Sequence, residues 1–421
     1  MPPVARSWLR CTGCERTLPL GELYRCPECG AELSLEYDFD EVRERTDFLQ
    51  RWSERRPFWQ RFAPVLPQDD LGRAITLGEG NTPLVRSSRF AETYGLERLF
   101  FKLESTNPTG SFKDRQIAVA ISKANEWGRR RFGTASSGNV GVALAAYAAR
   151  AGFESFVWVA EGTAAAKLQQ IQVYGAQMFL LPDPETVGVR SYFETYLGMR
   201  AYCVERGMVP MISARPVNPY MVEGAKTIAY EVAAELAGPP DVFFAPVGGG
   251  GMLAGTWKGF MELRTLGLAD SLPQMWGAQR GGYFAPIDEL DDDERDWSDH
   301  YRPLDGRWAW NSIQASRGRL LHIDRAEILH AQAELARLEG LFAEPQGAYA
   351  AAGLIKAATT GMIPPGASVV CVITGAGLKD MAAAAAIVDS TRDARAPIRV
   401  TSLSDTPNLD ELEADQTHHT P

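Results

Sequence analysis

A lysine in the first turn of a helix is a poor electrostatic choice, because the helix dipole disfavours a cation there. The segment Pro108-Thr-Gly-Ser-Phe-Lys-Asp-Arg115 makes that choice. Pro108 and Gly110 punctuate a loop, and Ser111 can cap a helix that begins at Phe112 or Lys113. The helix field and partial burial beside Phe112 would lower the pKa of Lys113, making its amine a better nucleophile towards an aldehyde. Taken alone, a surface lysine paired with Asp114 is the simpler explanation.

Three further segments offer groups of the same kind. In Thr134-Ala-Ser-Ser-Gly-Asn139, Ser136, Ser137, Gly138 and Asn139 bring hydroxyls and backbone N–H groups to a helix start, an anion site of carboxylate size. An ordinary capped helix is the plain alternative. Asp241-Val-Phe-Phe-Ala-Pro-Val-Gly-Gly-Gly-Gly-Met252 is a strand running into four glycines and then a helix. Gly248, Gly249, Gly250 and Gly251 cost backbone entropy on folding, which implies close approach to a ligand. With Met252 they form a turn of N–H groups suited to a phosphate. The P-loop pattern fails, because Gly250 and Gly255 are followed by Thr256 and Trp257. A dinucleotide fingerprint is met only loosely, since the next strand ends in Gln279 and Arg280 with no carboxylate for a ribose. Finally, Val369-Val-Cys-Val-Ile-Thr-Gly-Ala-Gly-Leu-Lys-Asp380 would present Thr374 at the C-terminal end of a strand, where α/β folds bind ligands. Capping a helix is its ordinary role.

Cys11-x-x-Cys14 and Cys26-x-x-Cys29 are matching pairs separated by eleven residues. Two such knuckles complete a tetrahedral four-thiolate shell, for which structural zinc is the natural occupant. Disulfides are the alternative, disfavoured in a reducing compartment. Cys203 and Cys371 lie in apolar surroundings and read as packing residues.

The elements that must hold these groups follow from the alternation of apolar runs with helical stretches. Strands are expected at Leu99–Leu103, Phe156–Ala160, Met178–Leu181, Val242–Val247, Met275–Ala278 and Ser368–Thr374. Helices are expected at Phe112–Trp127, Val140–Ala151, Val222–Leu236 and Ala326–Glu339. That alternation predicts an α/β architecture with doubly wound, mostly parallel open sheets. The expected divisions are a ribbon at 1–38, a helical connector at 39–76, a domain at 77–223 carrying Lys113, a domain at 224–395 carrying the glycine turn, and a disordered tail at 396–421. The acidic stretch 288–299 reads as an exposed loop. A net charge of −10 argues against a nucleic-acid surface. No run reaches the ~20 apolar residues of a membrane span, and no signal-peptide pattern opens the chain, so a cytoplasmic address is expected.

Together the four segments, in this order, resemble the threonine synthase branch of the fold-type II pyridoxal-phosphate enzymes, from Leu77 to Asp380. Leu77-Gly-Glu-Gly-Asn-Thr-Pro-Leu84 and Val217-Asn-Pro-Tyr-Met-Val-Glu-Gly224 match as well, as does the ribbon followed by Tyr37 and Asp38. The resemblance implies pyridoxal 5′-phosphate held on Lys113 as a Schiff base, with Lys113 later shuttling protons. It implies that Asn139 bonds the cofactor's phenolic oxygen, that Gly248 to Met252 hold its phosphate, and that Thr374 lies beside its pyridine nitrogen. Ser136, Ser137 and Gly138 would receive a substrate carboxylate. Glu344 is a candidate supporting or acid–base group, and a homodimer is the family expectation.

The departures bear on the substrate. Threonine synthases bind the phosphate of O-phosphohomoserine with a hydroxyl after the Asn and with polar residues and an Arg around an Asn-Pro-x-Arg segment. Here those positions are Val140, Pro216 and Met221, with Arg215 nearby as one candidate cation. A dianion without hydrogen-bond partners is expensive to bury. The all-glycine turn is more similar to serine/threonine ammonia-lyases. The expected activity is therefore elimination or replacement at Cβ or Cγ of an altered amino-acid substrate. Authentic threonine synthase, an ammonia-lyase, and a non-catalytic ligand sensor on the same fold remain alternatives.

Overall fold

The computed structural model describes residues 6–45, 47–136, 138–182, 198–281, 286–289 and 303–390. The expected tail at 396–421, residues 290–299 of the acidic stretch, and Ser137 lie outside the described residues.

Three sheets organise the chain. The first is antiparallel, in the order β2-β1-β3, from β1 (Ser7–Cys11), β2 (Thr17–Leu18) and β3 (Leu33–Tyr37). The second has six strands in the order β12-β11-β10-β13-β5-β4. They are β4 (Leu84–Arg86), β5 (Arg98–Leu103), β10 (Val242–Val247), β11 (Gln274–Arg280), β12 (Arg319–Ile323) and β13 (Ser368–Ile373). All of its pairings are parallel except β4 with β5. The third sheet is parallel, in the order β8-β7-β6-β9, from β6 (Arg131–Ala135), β7 (Glu154–Ala160), β8 (Gln177–Leu181) and β9 (Val209–Pro210).

The central strands are apolar on both faces because helices cover both faces. Phe243, Ala245 and Val247 of β10 and Val370 and Val372 of β13 pack into a core with the helices Lys113–Glu126, Pro219–Leu236 and Gly251–Thr265. Val242 and Phe244, with Val369, Cys371 and Ile373, face a second core under Arg325–Glu339 and Tyr349–Thr359. The expected strands and helices are therefore present, with ends moved by up to three residues. The pattern had not brought out β4, β6, β9 and β12 as strands.

Two features place the helix of Lys113. Gly224 in Pro219–Leu236 lets the two helices touch, since a Cβ there would lie 2.0 Å from the carbonyl oxygen of Arg115. Arg115, fully buried, is forked between Glu104 and Glu231. The expected division at residues 223 and 224 falls inside Pro219–Leu236, and β4 and β5 pair into the sheet of the later strands. Long-range pairing of this kind leaves no trace in local periodicity.

The ribbon docks on Pro219–Leu236. Tyr37 donates to Glu223 Oε2 at 2.7 Å, the Lys226 ammonium sits 3.7 Å from the Tyr37 ring centroid, and Tyr220 donates to the Gly21 carbonyl at 2.8 Å. Among the described residues no helix is long and apolar enough to cross a membrane.

Candidate active site

Strands β10, β13 and β5 are neighbours, and each delivers a site segment from its C-terminal end. The glycine turn follows β10, Thr374 follows β13, and the loop 104–112 leads from β5 to Lys113. This edge of a parallel sheet is where such folds bind ligands. From the other sheet, β6 delivers Ser136, Gly138 and Asn139.

Lys113 opens the helix Lys113–Glu126. The expected Ser111 cap does not form. Phe112 occupies the cap position without a side-chain bond, and Ser111 Oγ is buried without a partner. Nor does Asp114 pair with Lys113. Its carboxylate accepts from the Thr109 N–H at 2.7 Å and the Thr109 hydroxyl at 2.6 Å, holding the preceding loop. Lys113 Nζ instead donates to Ser213 Oγ at 2.6 Å and Gln116 Oε1 at 3.2 Å, and lies 4.3 Å from the Phe112 ring centroid. Burial lowers its pKa to about 7, against a small opposing pull from Asp305.

Loops 108–112 and 374–377 are laced together. The Phe112 N–H donates to the Thr374 carbonyl at 3.2 Å, and the Ala376 N–H to the Gly110 carbonyl at 2.9 Å. Thr374 is buried, its hydroxyl 3.4 Å from the Gln346 carbonyl. Asn139 gives one amide hydrogen to Glu344 Oε1, and its Oδ1 is buried without a partner. Glu344 reaches Asn139 across Gly375, where any Cβ would collide with its carboxylate at 2.0 Å. It also pairs with Lys167 at 2.8 Å. The stem of Lys167 crosses Gly138, whose φ of 128° and lack of a Cβ admit it. Ser136 Oγ accepts from the Gly138 N–H at 3.2 Å, so this hydroxyl shapes the turn.

At the glycine turn Gly250 has φ 96°, a conformation open to glycine. Gly251 begins the helix Gly251–Thr265, whose first N–H groups have no intrahelical acceptors. Asp305 closes over this turn: its N–H donates to the Gly249 carbonyl at 2.7 Å. Asp305 Oδ1 accepts from the Arg215 N–H at 3.0 Å, and Oδ2 is buried without a partner. Arg215, expected as a candidate anion receptor, is committed elsewhere. Its Nη2 and Nε lie 2.5 Å and 3.0 Å from Glu32 Oε2, and its guanidinium covers Trp308 at 4.3 Å. Sequence reasoning missed Glu32, Gln116, Lys167, Ser213 and Asp305, which come from separate segments and share no motif.

The donor set fits a phosphorylated aldehyde cofactor. It offers an amine with a lowered pKa, a glycine turn at a helix N-terminus, the unpartnered Ser111 hydroxyl, and the second amide hydrogen of Asn139. At the other end of the chain, the thiols of Cys11, Cys14, Cys26 and Cys29 lie within 4.8 Å of one another. Cys11 and Cys29 are 3.4 Å apart, and Cys14 and Cys26 3.7 Å. Four thiolates about 2.3 Å from one zinc would be separated by about 3.8 Å, so the cluster is of zinc size. The N–H groups of Cys14 and Gly13 point at Cys11 Sγ and hold its thiol below the usual range. We expect one zinc per chain by mass spectrometry. Chelation should lower the Tm by on the order of 5–10 °C, with β1–β3 exchanging their amide hydrogens first. A metal-free protein of unchanged Tm would refute this.

The chain belongs to the pyridoxal-phosphate dependent enzymes: the sequence model of that family, described as "Pyridoxal-phosphate dependent enzyme", matches residues 75–375. Within the family it is of the threonine synthase type. It is 34% identical to the threonine synthase of Methanocaldococcus jannaschii over 389 residues, covering 89% of this chain and 93% of that protein. To the threonine synthase of Synechocystis sp. it is 38% identical over 339 residues, covering 78% and 84%. Its fold is similar to that of an O-ureido-L-serine synthase mutant with bound O-ureido-L-serine (TM-score 0.59, 20% identity, 81% of this chain and 97% of that one). It is also similar to the processed threonine deaminase isoform 2 of Solanum lycopersicum (TM-score 0.58, 17% identity, 76% and 89%). Pyridoxal phosphate is therefore its cofactor, and an amino acid the kind of substrate its family implies.

Proposed function

We propose that this enzyme catalyses elimination or replacement at Cβ or Cγ of an amino acid whose side chain carries no phosphate. The observation that carries the reading is the commitment of Arg215 to Glu32, with the Asp305 carboxylate beside it. Val140, Pro216 and Met221 add no polar hydrogen to receive a phosphate side chain. A dianion entering here would meet one neutralised cation and a buried acid, an arrangement that costs several kcal/mol of desolvation without compensation.

When bound, pyridoxal phosphate would supply an electron sink that makes the substrate Cα–H acidic. Lys113 holds and moves that proton at Nζ. With a pKa of about 7 it is half neutral at neutral pH, which suits a general base. Ser213 accepts a hydrogen bond from Nζ and fixes the direction of the amine. Asn139 spends one amide hydrogen on Glu344, and the second would be free for the cofactor's phenolic oxygen. Gly248 to Met252 would hold the phosphate through backbone N–H groups. The neutral hydroxyl of Thr374 would leave the ring nitrogen mostly unprotonated, favouring elimination over chemistry that needs a stronger sink. Ser136, Ser137 and Gly138 would take the substrate carboxylate, with the stem of Lys167 passing over Gly138. A catalytic domain at 77–223, a cofactor-phosphate domain at 224–395, a homodimer and a cytoplasmic address belong to the same reading.

The test is a substrate screen on the purified holoenzyme, following the visible cofactor band with α-keto acid, ammonia and phosphate release in parallel. Expected is release of keto acid or ammonia from a non-phosphorylated amino acid, with O-phosphohomoserine converted at least about a hundredfold more slowly. Threonine and phosphate formed from O-phosphohomoserine at an ordinary enzymatic rate would replace the reading with threonine synthase.

A further inference from the structure

We propose that Asp305, with the Glu32–Arg215 pair beside it, forms a side-chain subsite that selects an amino acid ending in an ammonium group. The inference rests on the reading above, that the side chain carries no phosphate.

Asp305 is 2% exposed, and one of its carboxylate oxygens has no partner. A buried ionised carboxylate in that state is costly, and natural structures rarely leave one. Among the described residues no cationic side chain pairs directly with that oxygen. Arg215 hydrogen-bonds Asp305 through its backbone N–H and acts on it otherwise only at a distance, while its guanidinium bonds Glu32. Lys113 is the other cation felt by Asp305, and its amine hydrogen-bonds Ser213 and Gln116 instead. Asp305 Oδ2 meanwhile faces the glycine turn, 2.5 Å from where a Cβ on Gly251 would stand. A phosphate held by that turn would add like charge, which makes a cation beside Asp305 more valuable still. With Asp305 ionised, Glu32, Arg215 and Asp305 together carry one net negative charge. A ligand ammonium balances it.

A protonated Asp305 is the competing solution. Burial raises its pKa to about 7, against the pull of Arg215, so at neutral pH the acid is divided between its two forms. Only a cationic ligand draws it fully into the ionised one. Glu32 stands three residues beyond Cys29, so the cysteine module itself furnishes part of the subsite.

The holoenzyme can be titrated with L-2,4-diaminobutyrate and with L-homoserine, which differ at Cγ by ammonium against hydroxyl. Dissociation constants come from the visible band, with intrinsic tryptophan fluorescence as a second signal. Diaminobutyrate should bind about tenfold or more tightly than homoserine, and Asp305→Asn should bring the two within about twofold. Equal affinities in the parent enzyme, or a preference that survives in Asp305→Asn, overturns the inference. Should Asp305→Asn not fold, Glu32→Gln serves. Freeing Arg215 should shrink the preference and tighten O-phosphohomoserine at least about fivefold, and no change in either overturns the inference too. Failure of the functional reading has its own signal, phosphate released from O-phosphohomoserine by the parent enzyme.

Discussion

Replacing Lys113 with methionine is expected to abolish turnover while leaving the cofactor-free fold at least as stable as the parent. Loss of the amine removes both the covalent link to the cofactor and the proton carrier. Proton transfer by a positioned side chain contributes about 10²–10⁴ in rate, and loss of the covalent step adds to it. A fall in kcat of about 10³ or more is therefore expected. The stability half follows from linkage. The folded pKa of Lys113, about 7, lies below its ordinary 10.5. From pH 10.5 down to about 7 the unfolded chain binds a proton that the folded chain does not, so the lysine disfavours folding increasingly across that window. Below about 7 the penalty is constant. Methionine fills similar space without the charge. A Tm at pH 7 equal to or above that of the cofactor-free parent supports the assignment, and a clear drop would assign Lys113 a structural role. The same titration predicts that capture of pyridoxal phosphate by the cofactor-free protein speeds up about tenfold per pH unit below 7 and levels above it. Asp305 titrates near the same pH, so the observed step belongs to the pair.

The parts of this site that were legible in the sequence are those where one continuous segment does a whole task. Strand, glycine turn and helix from Val242 to Thr265 follow one another in a single segment, and each Cys-x-x-Cys pair is likewise local. The apolar runs of β10 and β13 announced strands. What could not be read are tasks divided between distant segments. Ser213 lies one hundred residues from the amine it bonds, and Glu32 is 183 residues from Arg215. Arg215 read as an available cation because nothing local reveals its partner. Ser111 read as a helix cap because its type and position were right, yet burial against Gly375 took it out of that role. The ordering of strands had the same limit. Short β4 and β9 carry little periodic signal, and only tertiary pairing places β5 beside β13.

Arg115→Met is expected to cost about 3–5 kcal/mol of stability, the effect of breaking a buried ion pair from one side. That is a large share of the 5–15 kcal/mol by which domains are ordinarily stable. Both edges of the Arg115 guanidinium are used. Nε and Nη2 hold Glu104 at 2.7 Å and 2.8 Å, while Nη1 and Nη2 each hold Glu231 at 2.7 Å. Without the fork, Glu231 keeps Lys102 at 2.9 Å, but Glu104 is left buried with only the Thr82 hydroxyl and the Asn107 amide. Glu104 follows β5 and Glu231 lies on Pro219–Leu236, so the fork joins the strand that leads to Lys113 with the helix against which Lys113–Glu126 packs. Acid dependence separates this account from a simple loss of packing. Burial pushes the pKa of Glu231 up, but Arg115 and Lys102 outweigh it and hold the group well below the usual carboxylate range. Its stabilising contribution is therefore full above the unfolded value near 4.5 and is lost as pH falls through the folded one. In Arg115→Met that contribution should shrink, because a buried carboxylate without its fork gains from taking up a proton. Denaturant titrations at pH 7 and pH 5 measure both effects. The variant should lose the full 3–5 kcal/mol at pH 7 and recover part of it at pH 5, whereas an equal deficit at both would mean that packing alone was lost.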